Sequence, residues 1–340
     1  MADFEVKDGV GIIPEGTTII SVAAFKDCKE LTSVVIPDSV QEIGALAFAG
    51  TNIASIVIPE GVKQIGAWAF QNCVSLTNIN LPSSVLKLES GVFKDCTSLT
   101  NIVLPSSLMK IDTDMFKGCA SLTNIEIPNS VSEIEGSAFS GCNSLNEIIL
   151  PDTVTVIGSY AFENCSSLKK INLGKTVTTI QASTFIGCES LEEISIPDTV
   201  TEICDFAFSE CVALKNIELP ESLTVIGDYA FNGSGLTSVV IPKSVTKISH
   251  NVFRDCLTLT EATISGAVSK LDYRLFYNCT SLKTIVLGSG IKKIDADAFN
   301  GCTAIERINV PAKKADYYKK RLPESLHSLI VELPAEKKKK

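Results

Sequence analysis

Aromatic and histidine residues are scarce in this chain. Aromatic side chains make up 6% of its 340 residues, with one tryptophan and two histidines. The histidines, His250 in a predicted turn and His327 near the carboxyl terminus, form neither a Ser/His/Asp site nor a multi-histidine metal site. No glycine-rich phosphate loop follows a predicted strand. We therefore predict no enzymatic activity, no cofactor and no metal.

Positive charge and long apolar runs are also lacking. The formal net charge is −9 and the isoelectric point is near 5.0, whereas nucleic-acid binding relies on clustered lysine and arginine, so we expect no nucleic-acid partner. No apolar run reaches the roughly 18 residues of a spanning helix, so we expect no membrane insertion. The amino terminus lacks the basic and apolar regions of a secretory signal. This fits either a cytoplasmic protein or a chain that begins after a removed signal.

What the sequence does contain is a repeat of 23 residues. Aligned on phenylalanine, ten of the twelve intervals between equivalent positions are 23 residues and two are 22. A cysteine stands three residues after eleven of the phenylalanines, and the exceptions, Thr51 and Ser234, fall in the two short intervals. Periodicity of this length predicts a repeat solenoid. The aligned residues are Phe25, Phe48, Phe70, Phe93, Phe116, Phe139, Phe162, Phe185, Phe208, Phe231, Phe253, Phe276 and Phe299.

Each repeat contains a strand signal followed by a corner. Val34 and Ile36 flank Val35, an alternation of period two that indicates a half-buried strand. Pro37 removes a backbone donor and ends that strand. A later apolar pair, Val40 and Ile43, indicates a second brief extended piece. One such coil cannot cover its own apolar face, so neighbouring coils must stack in parallel at about 4.8 Å per coil.

One coil departs from this pattern. It carries Ala262 where the others place isoleucine or valine, and Ser265 where most place proline. The smaller core predicts a weaker joint, with faster hydrogen exchange from Ala262 to Tyr273 than in the central coils.

An open array would expose its core and strand edge, so each end needs a cap. We predict an amino-terminal cap over residues 1–13, the solenoid over 14–310 and a carboxy-terminal cap over 311–334. In the second cap we predict a helix from Ala312 to Leu322, with Tyr317 and Leu322 facing inward, and a last strand from Leu329 to Leu333. The lysine-rich residues 335–340 indicate a disordered basic tail.

The periodic cysteines favour neither disulfides nor metal. Residues 23 apart lie above one another in adjacent coils with their thiols pointing the same way, whereas a disulfide needs thiols directed at each other. Paired CxxC zinc spacings are absent from the sequence. We predict a ladder of buried, unreactive thiols, with Cys204 as a further packing residue. So many free thiols would suit the cytosol.

An outward position two residues before the proline corner is the candidate protein-binding surface. Apolar residues recur there, where a solvated strand would accept polar ones. Strand propensity alone is the alternative explanation for its valines, and acidic pairs such as Glu192 and Glu193 are assigned to hydrated surface. The candidate residues are Val35, Val57, Asn80, Val103, Glu126, Ile149, Asn172, Ser195, Glu218 and Val240.

A second, less regular set lies two residues before phenylalanine. Leu46 and Trp68 occupy neighbouring coils, as do Phe206 and Tyr229, and Tyr160 stands alone. Aromatic pairs suit protein interfaces, but they equally pack between adjacent coils.

The unit LxxIxIP, followed by VxxI and AFxxC, resembles the repeats of BspA-like and Treponema-type leucine-rich repeat proteins. The resemblance covers about residue 12 to residue 310. It implies a right-handed leucine-rich-repeat superhelix of about 13 coils, mostly β and loop, with the LxxIxIP strands forming one parallel sheet on one face. Known members are mostly secreted or surface proteins implicated in adhesion to host matrix proteins and to other cells.

The resemblance thus implies an extracellular or cell-surface protein that binds a protein ligand, such as a host matrix protein or another cell-surface protein. We expect a monomer. An intracellular interaction scaffold, or a structural spacer without a dedicated ligand, is the alternative.

Overall fold

The computed structural model describes residues 4–265 and 267–334. Contacts divide the chain into two compact units, Met1–Val177 and Thr178–Lys340. Each unit is a stack of coils with a row of strands, a row of shorter strands and a row of turns, which confirms the predicted parallel-strand solenoid. Residues 1–3 of the predicted amino-terminal cap and the predicted tail at 335–340 lie outside the described residues.

The main row of strands, named here the face strands, lies directly before the proline corners. Val34 and Ile36 are buried while Val35 is exposed, which confirms the predicted alternation. In the first unit the face strands are Val10–Ile12, Ser33–Val35, Ser55–Val57, Asn78–Asn80, Glu147–Ile149 and Lys170–Asn172. In the second unit they are Glu193–Ser195, Ser238–Ile241, Glu261–Ile264, Thr284–Leu287, Arg307–Val310 and Ile330–Glu332.

Within each unit the face strands pair in parallel on one side of the coils, as predicted, but the pairing is interrupted. In the first unit they pair two at a time, whereas in the second unit five strands from Ser238–Ile241 to Ile330–Glu332 pair one after another. Residues 101–104, 124–127 and 216–219 form no strand. Each of these segments begins with asparagine, but so does the paired strand Asn78–Asn80, so asparagine alone does not account for the interruptions.

The coil that carries Ala262 is well paired. Ala262 is fully buried, and its strand, Glu261–Ile264, pairs over four residues with the strand on either side. Paired face strands of the first unit match over only three residues. The lost side-chain volume in this coil is therefore accompanied by additional backbone pairing.

A second row consists of two-residue strands whose outer residue points away from the core and whose inner residue is buried. They pair in parallel in runs of four and three strands in the first unit, and of four and two strands in the second. In the first unit they are Ile19–Ile20, Glu42–Ile43, Gln64–Ile65, Lys87–Leu88, Lys110–Ile111, Glu133–Ile134 and Val156–Ile157. In the second unit they are Thr179–Ile180, Glu202–Ile203, Val225–Ile226, Lys247–Ile248, Lys270–Leu271 and Lys293–Ile294.

The third side of each coil, named here the turn row, surrounds the phenylalanine. The N–H groups of Leu46, Phe48 and Gly50 donate to alternate carbonyls of the next coil at 2.6 to 2.9 Å, and equivalent residues repeat these bonds within both units. The first and third donors adopt left-handed backbone, with φ of 58° at Leu46 and 71° at Gly50. Rings of successive phenylalanines stack with centroids 5.3 to 5.9 Å apart. Backbone and side chains therefore form parallel ladders.

Both ends carry segments that depart from the repeat. Glu5–Lys7 pairs antiparallel with Val10–Ile12, and Phe4 stacks on Phe25 at 5.5 Å. These contacts cover one end of the phenylalanine ladder, so the edge of the first unit is closed by a hairpin.

The carboxy-terminal segment contains a helix at Ala315–Lys319, shorter than predicted, and a 3-10 helix at Glu324–Leu329. Leu322 is buried as expected, but Tyr318 is the fully buried tyrosine. Its hydroxyl donates to the Gly288 carbonyl. Tyr317 is half-buried. The later helix start turns a different tyrosine inward.

Candidate protein-binding surface

The predicted outward row lies on the exposed side of the face strands and of the irregular segments between them. The exposed fraction of the side chain reaches 75% for Val35 and 80% for Val103. The first seven candidates lie in the first unit and the last three in the second. All ten are exposed: Val35, Val57, Asn80, Val103, Glu126, Ile149, Asn172, Ser195, Glu218 and Val240.

The outward positions of the first unit are uncharged from Ser33 to Asn124. Each coil presents two such positions there, and they hold serine, asparagine or valine. Charge enters the row at Glu126 and continues with Glu147 and Lys170. The centres of protein interfaces are depleted of charged residues, so this uncharged stretch has the composition of a contact surface.

Shallow grooves separate neighbouring coils on this surface. One, of about 430 Å³, lies between Val35 and Val57. Another, of about 300 Å³, is lined by residues 124–126 and 147–149. In the second unit, a groove of about 570 Å³ runs beside Glu218 and Val240. Open grooves of this kind admit side chains of a protein, whereas small ligands favour enclosed pockets.

The outward row changes near the carboxyl end of the second unit. Thr263 and Val286 are half-buried and line a cleft of about 520 Å³ that also includes Leu333 and Pro334. The outward side chains of the last coils are therefore less exposed to solvent than those of the first unit.

The predicted thiol ladder is confirmed for ten of the twelve cysteines, which are buried. Cys96 donates its S–H to the Phe70 carbonyl at 3.1 Å, and the same contact recurs in successive coils. Burial raises the pKa of Cys165 to about 12. Because the thiolate is the nucleophile, we expect such cysteines to react slowly in the folded chain.

The two short coils place hydroxyls in the same ladder. Thr51 and Ser234 are buried, and their oxygens lie 3.5 and 3.4 Å from the sulfurs of Cys73 and Cys256. Thr51 also donates to the Phe48 carbonyl at 2.9 Å. A small hydrogen-bonding side chain thus replaces the thiol where the coil is one residue shorter.

The histidines pack against polar groups of neighbouring residues. The ring nitrogens of His250 lie 3.1 Å from carboxylates of Asp228 and Asp272 in adjacent coils. His327 Nε2 lies 3.0 Å from the Leu322 carbonyl. Within residues 4–265 and 267–334, no cluster of three histidine, cysteine or acidic side chains has the geometry to hold a metal ion.

The aromatic set two residues before phenylalanine lies on the turn row in left-handed backbone. Trp68, Tyr160, Phe206 and Tyr229 have φ between 57° and 61°, and the rings of Phe206 and Tyr229 stack at 4.8 Å. Bulky residues rarely adopt this conformation, so the sequence did not predict it. Left-handed backbone two residues after phenylalanine could have been predicted, because glycine, asparagine and aspartate, which adopt this conformation readily, recur there.

The coil geometry defines this chain as a leucine-rich repeat protein. The family model described as BspA type leucine-rich repeat region (6 copies) matches residues 18–146, 109–234 and 201–320. The chain therefore belongs to the BspA-type leucine-rich repeat family.

Solved structures share this fold. A leucine-rich repeat protein from Bacteroides ovatus is 26% identical, with a TM-score of 0.62 over 82% of this chain and 92% of that chain. A leucine-rich cell surface protein from Faecalibacterium prausnitzii is 31% identical, with a TM-score of 0.56 over 80% and 83%. The pneumococcal vaccine antigen PcpA shares the fold at 19% identity and a TM-score of 0.54 over 94% and 77%. No match to this chain was found among the curated proteins.

Members of this family are typically non-enzymatic binding proteins that serve protein interaction or adhesion, and the family is often surface-associated. In the described part of this chain, no helix has the length and apolar character needed to cross a bilayer.

Proposed function

We propose that this chain is an adhesin-like protein, secreted or at the cell surface, that binds a protein ligand as a monomer through the face strands of its first unit. The observation that carries the proposal is the uncharged, valine-bearing surface from Ser33 to Asn124. A host matrix protein or another cell-surface protein is the partner that family membership favours.

Burial of the valine row supplies the driving force in this proposal. Val35, Val57 and Val103 are among the most exposed apolar side chains of the unit. Removing a valine side chain from water contributes up to about 1.5 kcal/mol. The intervening serine and asparagine residues offer hydrogen-bond donors and acceptors to a partner's backbone without a charge to desolvate.

The test replaces the three valines together, as Val35→Lys, Val57→Lys and Val103→Lys. The wild type and the variant are passed over a panel of immobilised purified host matrix proteins, and binding is read by surface plasmon resonance. We expect the variant to lose binding, because three ammonium groups would be desolvated in the contact. The melting temperature should change little, since these side chains point into solvent.

A matched control carries three lysines at other exposed apolar positions of the same unit. Val22, Leu86 and Met109 lie outside the face strands with exposed fractions of 65%, 60% and 63%. Equal loss of binding in both variants would show a general charge effect and contradict the proposed surface. Absence of binding by the wild type to every matrix protein would instead favour an intracellular scaffold or a spacer, with which the cysteine-rich composition is compatible.

A further inference from the structure

The turn row of the second unit carries a concentration of arginine and tyrosine. Two of the four arginines and three of the six tyrosines of the chain lie there, in three consecutive coils. Neither the face strands nor the thiol ladder includes them. We name this surface the tyrosine–arginine patch, and its members are Tyr229, Arg254, Tyr273, Arg274 and Tyr277.

Guanidinium groups and rings alternate in space across the patch. The Arg274 Cζ atom lies 4.7 Å from the ring centroid of Tyr273 and 4.8 Å from that of Tyr277. Arg254 Cζ lies 5.1 Å from the centroid of Tyr277. Stacking on a ring holds a guanidinium in a fixed plane, and its N–H edge then suits a planar acceptor such as a carboxylate.

The two arginines differ in their charge partners. Arg254 Nε donates to the Asp255 carboxylate at 3.0 Å. Within residues 4–265 and 267–334, Arg274 forms no ion pair, and its covered Nε–H has no acceptor. Asn251 occupies the equivalent position of the preceding coil, where it is buried with its Oδ1 atom also unpartnered. Unsatisfied polar atoms of this kind destabilise the isolated chain.

Carboxylates close to the patch are already engaged. Asp272 accepts from Lys270 Nζ at 2.9 Å and lies 3.1 Å from a ring nitrogen of His250. Asp255 accepts from Asn278 Nδ2 at 2.7 Å in addition to its bond with Arg254. Although the chain has a net charge of −9, the Arg274 guanidinium has no counter-ion in the described residues.

We propose that the tyrosine–arginine patch binds an acidic peptide segment of a partner protein, with an aspartate or glutamate carboxylate paired to Arg274. The positive charge of Arg274, which has no ion pair in the described residues, supplies the complement to such a segment through the terminal N–H groups of the guanidinium, because its Nε–H is covered. Tyrosine and arginine are enriched in the energetically dominant centres of protein interfaces. The patch belongs to the second unit and to the turn row, so this proposal does not depend on the face strands of the first unit.

The test titrates the full chain with a synthetic peptide of consecutive glutamates, and separately with a glutamine-substituted peptide of the same length. Isothermal titration calorimetry is run at about 20 mM salt, where charge pairs are weakly screened. We expect the glutamate peptide to bind the wild type with a Kd below about 1 mM. Arg274→Gln should weaken binding by about tenfold or more, because it removes charged hydrogen bonds. Arg274→Lys should also weaken it, since an ammonium cannot bind a carboxylate bidentately.

Arg307→Gln is the matched control, because it removes the same charge from an exposed arginine of the same unit outside the patch. We expect it to change the Kd by less than about twofold. Thermal melting by circular dichroism checks that each variant folds, and Arg274→Lys tests the proposal if Arg274→Gln does not fold.

Three results would overturn the proposal: no binding of the glutamate peptide by the wild type, equal binding of the glutamine peptide, or equal weakening by Arg307→Gln and Arg274→Gln. A wild-type dimer in sedimentation that Arg274→Gln abolishes would also overturn it, because the patch would then join two copies of the chain.

Discussion

The phenylalanine ladder of the first unit provides a quantitative test of the stacked-coil architecture. Phe139 is fully buried, and its ring stacks on Phe116 and on Phe162 at centroid distances of 5.4 Å. Truncation to alanine removes the transfer free energy of the ring, leaves a cavity between two coils and breaks both ring contacts. Phenylalanine-to-alanine changes in cores cost about 3–5 kcal/mol, so we expect Phe139→Ala to lower the free energy of unfolding by about 4 kcal/mol.

Phe139→Leu separates the two contributions. Leucine retains most of the apolar volume but cannot stack, so the loss should fall to the worth of two ring pairs, about 1–3 kcal/mol. Urea denaturation followed by circular dichroism gives both values from the midpoint and slope. A second transition in Phe139→Ala would show that coils on either side of the cavity unfold separately, as a quasi-one-dimensional array permits.

Tyr160→Ala is the control, since Tyr160 is an aromatic residue of the same unit with an exposed fraction of 45%. Its replacement should change the free energy of unfolding by less than about 1 kcal/mol. A loss of under about 1 kcal/mol for Phe139→Ala, or one no larger than that of the control, would refute the assignment of this ladder to the core.

Three further predictions concern local features. Gly91→Ala should shift the emission of the only tryptophan, because a Cβ atom would lie 2.3 Å from the indole, whereas Gly16→Ala, with φ of +84° and nothing within 4 Å, should leave emission unchanged. In hydrogen-exchange mass spectrometry, amides of Glu261–Ile264 should exchange more slowly than those of residues 101–104, which form no strand. Faster exchange at Glu261–Ile264 would instead support the weak contact between coils that the small side chain of Ala262 predicts. In thiol labelling followed by mass spectrometry, Cys302 should react before Cys204 and at lower pH. The neighbouring Cys279 thiol lowers the pKa of Cys302, while burial and nearby Glu202 raise the pKa of Cys204 to about 11. Labelling of Cys204 before Cys302 would contradict this prediction.

Side-chain direction along each coil could be predicted from the sequence because it depends on local periodicity. Val34, Val35 and Ile36 alternate between core and solvent as a strand of period two requires. The burial of the cysteines could be predicted for the same reason, because a fixed spacing places equivalent side chains above one another in successive coils. Exposure of the ten candidate residues was therefore predictable, while their role in binding stays a prediction.

The local backbone conformation was harder to predict from the sequence than the direction of the side chains. Asn78 and Asn101 occupy equivalent positions of neighbouring repeats, yet only Asn78 begins a strand, so the residue at that position does not decide whether a strand forms. Left-handed backbone at Trp68 is imposed by the donor ladder with the next coil and leaves no mark on residue type. In the last cap, the choice between Tyr317 and Tyr318 depends on where a five-residue helix begins, which short patterns do not determine.

The turn row also bears on how a gene for this chain can change. In the regular coils of both units, three N–H groups donate to the next coil, and the opposite edge accepts such bonds at equivalent residues. A DNA segment that encodes one whole coil can therefore be duplicated or deleted, and the new neighbours meet with donors opposite acceptors and ring opposite ring. Loss of part of a coil would instead bring left-handed positions against right-handed ones. Recombination between the near-identical segments is thus tolerated in whole-coil steps, which lets the length of the molecule vary without altering the chemistry of any junction.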